Sequence, residues 1–156
     1  MVVNLVPMRE DEFADYVEVL ISHYAKDNVA AGYWDPADAV EQSRKQTMEL
    51  LPKGVNTPNH YIFTVRDGER RVGVIWMRAT LDTVIKSGFI FDITIAEDQR
   101  GKGYGKKAML LVEEKARALG IRQIGLHVFA KNKVARNLYE GLGYETKSLN
   151  MTKYLN

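Results

Sequence analysis

Three glycines at alternate positions stand in the run Gln99-Arg100-Gly101-Lys102-Gly103-Tyr104-Gly105-Lys106-Lys107, between a stretch that reads as a strand and one that reads as a helix. Glycines spaced this way let the backbone curl until several N–H groups point at one spot. The partial positive charge of the helix N-terminus adds to them, and together they make an anion site. Lys106 and Lys107 sharpen the case: a cation in a first helical turn opposes the helix dipole by about 0.3–1 kcal/mol, so two of them there suit a bound anion. An ordinary strand-to-helix turn with a solvated basic face is the plainer alternative.

The phosphate frame is neither of the two commonest. Walker A needs Gly-x-x-x-x-Gly-Lys-Ser/Thr, and the spacing of Gly101 and Gly105 breaks it. The dinucleotide fingerprint Gly-x-Gly-x-x-Gly fails because Lys106 stands where its third glycine belongs. What fits is Arg-x-x-Gly-x-Gly, carried by Arg100, Gly103 and Gly105. In this the chain resembles the GNAT superfamily of acetyl-CoA-dependent N-acetyltransferases. The resemblance continues through LHVFAKNKVARNLYEGLGYE, which is similar to that family's second signature: a strand, then Asn-x-x-Ala-x-x-x-Tyr, then Gly-Tyr or Gly-Phe. It is strongest over about residues 89–145, while the order of elements agrees along the whole chain. Gly141 replaces a residue that is often bulky, and the proline often found ahead of the loop is missing from AEDQR.

The resemblance implies that acetyl-CoA is the cosubstrate, with its pyrophosphate on Arg100, Gly101, Lys102, Gly103, Tyr104, Gly105 and Lys106. Its pantetheine arm would lie between two parallel strands that part, 89–96 and 121–129. Residues two apart in a strand aim their N–H groups at the same edge, so Ile93 and Ile95 are a candidate backbone pair for the thioester carbonyl and the pantetheine amides. Asn132, Ala135 and Tyr139 share one helix face by their spacing of three and four. By resemblance, Asn132 contacts the arm, Ala135 allows its close approach, and Tyr139 is the general acid. Taken singly the three read as a helix cap, a small packing residue and a core aromatic. The acid role is chemically sound, because a phenol of pKa about 10 stays neutral at pH 7 and can protonate a thiolate whose thiol titrates near ~8.5. An attacking ammonium must also lose a proton. Asp92 and His127, on the two parting strands, are the tentative bases, with a water relay as the alternative; each also reads as a group bonded to backbone.

The absent residue types narrow the chemistry. With no cysteine there are no disulfides and no thiol nucleophile, and His23, His60 and His127 match no zinc spacing, so no metal is expected. None of Ser22, Ser43, Ser87 and Ser148 sits in a Gly-x-Ser-x-Gly elbow. Direct transfer in a ternary complex is therefore simpler than a covalent enzyme intermediate. A formal charge of +2 is too small to argue for nucleic acid. No apolar run approaches the ~18 residues of a membrane span, and the first residues lack the pattern of an export signal. A cytoplasmic location is the expectation.

These residues need elements to hold them. At 156 residues, without repeat or linker, the chain reads as one domain spanning 1–156. A strand from Met1 to Met8 precedes a helix marked by Phe13, Tyr16, Val17, Leu20, Ile21 and Tyr24, with Glu10, Asp11 and Glu12 in its first turn. A second helix is expected from Asp35-Pro36 to about Leu51. Residues 61–65 and 72–77 flank Asp67-Gly68, a hairpin signal, and 89–96 adds a central strand. Residues 104–119 form an apolar helical stripe ending at Gly120. Then come a strand at 121–129, a helix at 132–142 and a strand-like stretch at 144–155. A right-handed crossover makes 89–96 and 121–129 parallel. The fold class is α/β: a mixed, mostly antiparallel central sheet with one splayed parallel pair and helices on both faces.

The acceptor side is expected from residues 22–34, 51–61 and 144–151, whose aromatics do not choose among a peptide N-terminus, a lysine, a polyamine and an amino sugar. The partner is thus a small-molecule or peptide amine, with no nucleic acid or membrane, and a homodimer is compatible. Two rivals stand beside this reading: a non-catalytic acyl-CoA sensor on the same fold, against which Tyr139 counts, and a nucleotide-binding module, against which the broken Walker frame counts.

Overall fold

A computed structural model describes Met1–Asn156. Its strands β1 (Val3–Pro7), β2 (His60–Asp67), β3 (Arg70–Thr80), β4 (Ser87–Ile95) and β5 (Gln123–Leu126) form one sheet in sequence order. The first four are antiparallel neighbours, and β5 runs parallel to β4. The Asp67-Gly68 turn closes the β2–β3 hairpin because Gly68 takes φ +60°, which side chains resist.

Helices α1 (Glu10–Ala30) and α2 (Ala39–Leu50) cover one face, and α3 (Tyr104–Ala118) covers the other. Helix α4 (Lys133–Gly141) follows β5. On the α3 side Phe63, Val65, Ile75, Met77 and Ile90 pack with Ala108, Met109 and Val112. On the α1 side Ile62 and Trp76 pack with Met8 and Leu51, bordered by Phe13, Tyr16 and Phe91. Helix α2 starts later than Asp35-Pro36 suggests. The Asp35 carboxylate accepts the Ala37 N–H at 2.8 Å and its carbonyl accepts the Asp38 N–H at 3.1 Å, so Asp35 caps a turn and Asp38 precedes the helix.

The first turn of α1 is fastened to the sheet by a buried carboxylate. One Glu12 oxygen accepts from Arg71 at 3.0 Å, Arg66 at 3.3 Å and the Thr64 hydroxyl at 3.4 Å; the other accepts the Arg9 N–H at 3.3 Å. Burial pushes the Glu12 carboxyl upward, but Arg71, the Arg9 N–H and the other guanidinium groups outweigh it and hold it below the usual carboxylate range.

Two irregularities shape the middle of β4. Trp76 pairs with Asp92 whereas Met77 pairs with Ile90, so Phe91 is an extra residue and the strand bulges. Strict alternation puts Asp92 on the same face as Ile90; the bulge turns Asp92 and Thr94 to the α1 side, and Ile93 and Ile95 to the α3 side. The second irregularity is the end of β5. The expected strand at 121–129 shortens to Gln123–Leu126, and its last pair is Ile90 with Leu126. Past the bulge β4 continues to Ile95 with no β5 partner. It stays close to β3 there, because a Cβ at Gly73 would lie 2.4 Å from the Thr94 carbonyl oxygen. The strand-like stretch expected at 144–155 forms no strand, since residues 142–156 make no ladder with the sheet.

Candidate active site

The glycine run is an irregular turn between a short 3₁₀ segment (Glu97–Gln99) and α3. Gly101 and Gly103 have φ of +76° and +87°, and nothing lies within 4 Å of where a Cβ would stand on either. Both residues are exposed. Gly105 serves differently, with its Cα against Leu138 of α4. Arg100 donates from Nε to the Ile95 carbonyl at 3.0 Å, and Lys102 donates to the Gln99 side chain at 3.3 Å, while Lys106 is exposed. The Tyr104 side chain points away from the turn: it is buried, and its hydroxyl donates a short hydrogen bond to Asp67 of β2. Only the Tyr104 backbone is left to the turn.

Ile93 and Ile95 sit on the unpaired length of β4. The Ala96 N–H donates to Val72 of β3 at 2.8 Å, so by alternation the Ile95 and Ile93 backbone groups point to the other edge, where β5 has ended. Arg100 meets the Ile95 carbonyl on that edge.

Asn132 caps α4, its side-chain oxygen accepting the Ala135 N–H at 3.2 Å. Ala135 is half-buried one turn before Tyr139. Tyr139 is buried against the α3-side core, edge-on to Tyr144 with 6.0 Å between ring centroids. No protein group bonds its hydroxyl, which is not sealed from solvent. Burial, and then the nearby Asp92 charge, push its phenol up to about 12.

Asp92 is half-buried and accepts from Tyr16 at 2.7 Å and Thr94 at 2.9 Å. Burial raises its carboxyl above the usual range. The hydrogen bonds from Tyr16 and Thr94 and the nearby His23 pull the other way, and Asp27 adds to the rise. Asp92 on the α1 side is thus near enough to act electrostatically on Tyr139, though no hydrogen bond joins them. His127 does not join them. It is exposed beyond the end of β5, edge-on to Phe129 at 5.0 Å, and hydrogen-bonds to neither. A cleft of about 670 Å³ runs along β5, α4 and the chain beyond, lined by His127, Phe129, Tyr139, Tyr144 and Tyr33. Asp92 lies outside that lining, on the α1 side of Tyr139.

The acetyltransferase (GNAT) family profile matches residues 20–144. This chain belongs to the GNAT family. It is 39% identical to YycN, an uncharacterized N-acetyltransferase of Bacillus subtilis (strain 168), over 99% of this chain and 100% of that one. It is 33% identical to YdgE of the same organism over 99% of each. The crystal structure of YycN superposes with a TM-score of 0.95 at 38% identity, covering 99% of both chains. GNAT membership fits a five-stranded sheet with a single parallel pair that parts midway.

Sequence reasoning passed over Tyr16 as a site residue. It belongs to the apolar stripe of α1, and only its position among Tyr16, His23 and Asp27, spaced seven and four along one helix face, marked it as different.

Proposed function

We propose that this chain is an acetyl-CoA-dependent N-acetyltransferase that moves the acetyl group to a primary amine by direct attack in a ternary complex. The observation that carries this reading is the strand edge of β4 left unpaired at Ile93 and Ile95 where β5 ends, beside a glycine turn that opens α3. The turn fits a diphosphate: Gly101 and Gly103 leave their backbone open, a helix begins there, and Lys106 is unengaged. The free edge at Ile93 and Ile95 suits the amides of a pantetheine arm, and Asn132 and Ala135 at the start of α4 are the further residues proposed to meet it.

Bound acetyl-CoA supplies an electrophilic thioester carbon and a thiolate leaving group. Asp92 takes the proton that the acceptor amine must shed, directly or through a water, so that the nitrogen lone pair can form the new C–N bond. As the C–S bond breaks, its electron pair stays on sulfur, and Tyr139 gives that sulfur a proton. The Tyr139 phenol is protonated at neutral pH with or without its upward shift, and the raised Asp92 pKa makes it a stronger base than an ordinary carboxylate. His127, with no partner to fix its ring, is the weaker base candidate. The acceptor is an amine on a small molecule or a peptide.

The test is release of free CoA thiol across a panel of peptide, lysine, polyamine and amino-sugar acceptors, run beside calorimetric titration of acetyl-CoA, CoA, ATP and NAD. Acceptor-dependent thiol release with acetyl-CoA bound in preference to ATP is expected. Acetyl-CoA binding with no release for any amine would favour a sensor. Binding of ATP as tight as acetyl-CoA would overturn the reading.

A further inference from the structure

We propose that Tyr16 is a positioning residue for the transfer: its hydroxyl, with that of Thr94, holds the two carboxylate oxygens of Asp92 in the orientation from which Asp92 takes the acceptor's proton. The proposal rests on the reading of Asp92 as the base. Tyr16 Oη donates to Oδ2 at 2.7 Å and Thr94 Oγ1 to Oδ1 at 2.9 Å. A carboxylate has about four acceptor sites, so one donor on each oxygen fixes the plane of the group and leaves lone pairs free.

The donors come from elements that are themselves fixed. Tyr16 is four residues after Glu12 on the same face of α1, and Glu12 is tied to β2 and β3 by Arg66, Arg71 and Thr64. Thr94 follows the bulge that turns Asp92 toward α1. Both donors are neutral, and no lysine or arginine forms an ion pair with Asp92. A guanidinium in either place would hold the carboxylate low in pKa and spend its basicity, whereas two hydroxyls orient it and leave it basic. The Tyr16 phenol is itself pushed well above its ordinary value by burial and then by the Asp92 charge, so it remains a donor throughout the working range.

The other charged or titratable groups close enough to act on Asp92 or be acted on by it through space are His23 and Asp27 from α1 and Tyr139 from α4; Arg78 of β3 lies over the adjacent Phe91 ring, 5.1 Å from its centroid. Of all the groups around Asp92, Tyr16 makes the shorter of the two hydrogen bonds to the ionised form. Removing its hydroxyl leaves burial less opposed, so the carboxyl pKa rises and the acid limb of kcat/KM moves to higher pH.

The experiment is the pH profile of kcat/KM by thiol release for the wild type, Tyr16→Phe, Thr94→Val, Asp92→Asn and the Tyr16→Phe/Asp92→Asn double variant, with thermal midpoint and acetyl-CoA affinity measured on each. Tyr16→Phe should move the acid limb upward by about one pH unit, the scale of one hydrogen bond to a charged group. Thr94→Val should move it in the same direction, both with cosubstrate affinity unchanged. Asp92→Asn should lack the limb, and Tyr16→Phe should add nothing in that background. A purely structural hydroxyl would lower activity by one factor at every pH. An unmoved limb in folded Tyr16→Phe and Thr94→Val proteins overturns the positioning role while leaving Asp92 as base, and Thr94→Val alone decides if Tyr16→Phe does not fold. A limb that persists in Asp92→Asn overturns the base reading and the role of Tyr16 with it.

Discussion

Gly105 and Leu138 touch across the start of α3 and the middle of α4: a Cβ on Gly105 would stand 3.3 Å from Leu138 Cδ2 and 4.0 Å from Ile95 Cγ1. The glycine turn, the free edge of β4 and the helix bearing Tyr139 thus meet at one small residue. Gly105→Ala should improve helix propensity by up to about 1 kcal/mol, which offsets much of the overpacking, so the thermal midpoint should move little. Leu138 must yield by a few tenths of an ångström, and Tyr139 follows it in the chain. We expect kcat to fall about tenfold or less with acetyl-CoA affinity nearly unchanged, the pattern of a displaced catalytic group. Unaltered kcat would show that α4 relaxes freely.

Gly103→Val tests the turn itself. Position 103 needs φ +87°, and the space over its Cα is open within the protein. The valine therefore costs about 1–3 kcal/mol of backbone strain without an internal clash, and the protein should stay folded. Acetyl-CoA binding should be abolished, because a branched side chain fills the approach to the backbone. Calorimetry and circular dichroism on one sample read both, and unchanged affinity in the folded variant would remove the turn from the site.

Tyr139→Phe keeps the ring and its contacts but removes the proton. In its proposed role as general acid the hydroxyl acts in the transition state, so kcat should fall by roughly 10²–10⁴-fold with acetyl-CoA affinity and thermal midpoint almost unchanged. Full activity would assign protonation of the sulfur to water. Loss of stability or of cosubstrate binding together with activity would make the hydroxyl structural.

The phenols also set the alkaline limit of the fold. Burial and then Asp92 hold Tyr139 at about 12; burial and then Glu113, which accepts the Tyr144 hydroxyl at 3.0 Å, raise Tyr144 as well. Folded values above the unfolded value of about 10 mean that the unfolded chain loses these protons first. Their contribution to stability is complete below pH ~10 and declines above it, that of Tyr139 disappearing as pH rises through about 12 and that of Tyr144 at higher pH still. The thermal midpoint should be level from pH 8 to 10 and then fall, and Tyr144→Phe should flatten part of that fall. Ionisation of all eight tyrosines near pH 10 with the fold retained would contradict it.

How much of this was legible in the residues depends on what each signal can encode. Asp67-Gly68 specified a hairpin because a turn with positive φ leaves a local signature, and Gly120 ended α3 for the same reason. Alternation could not show where a ladder stops, since residues 121–129 look extended whether or not a neighbour pairs with them. Nor could it show the bulge at Phe91, which depends on the register of β3 and decides the face of Asp92. Tyr16 was hidden by its own helix: at the spacing of Phe13, Val17 and Leu20 it reads as core, and only a carboxylate 76 residues away gives its hydroxyl a purpose.

Gly73 carries a consequence for how this sequence tolerates change. Its missing side chain lets β4 lie against β3 where β5 has left, since a Cβ there would meet the Thr94 carbonyl at 2.4 Å and Ile95 Cδ1 at 2.8 Å. Even alanine would push β4 outward, into the gap that Ile93 and Ile95 border. In a mutational scan, position 73 would therefore score like a ligand contact while touching no ligand, and its intolerance would report the width of a slot rather than the chemistry inside it.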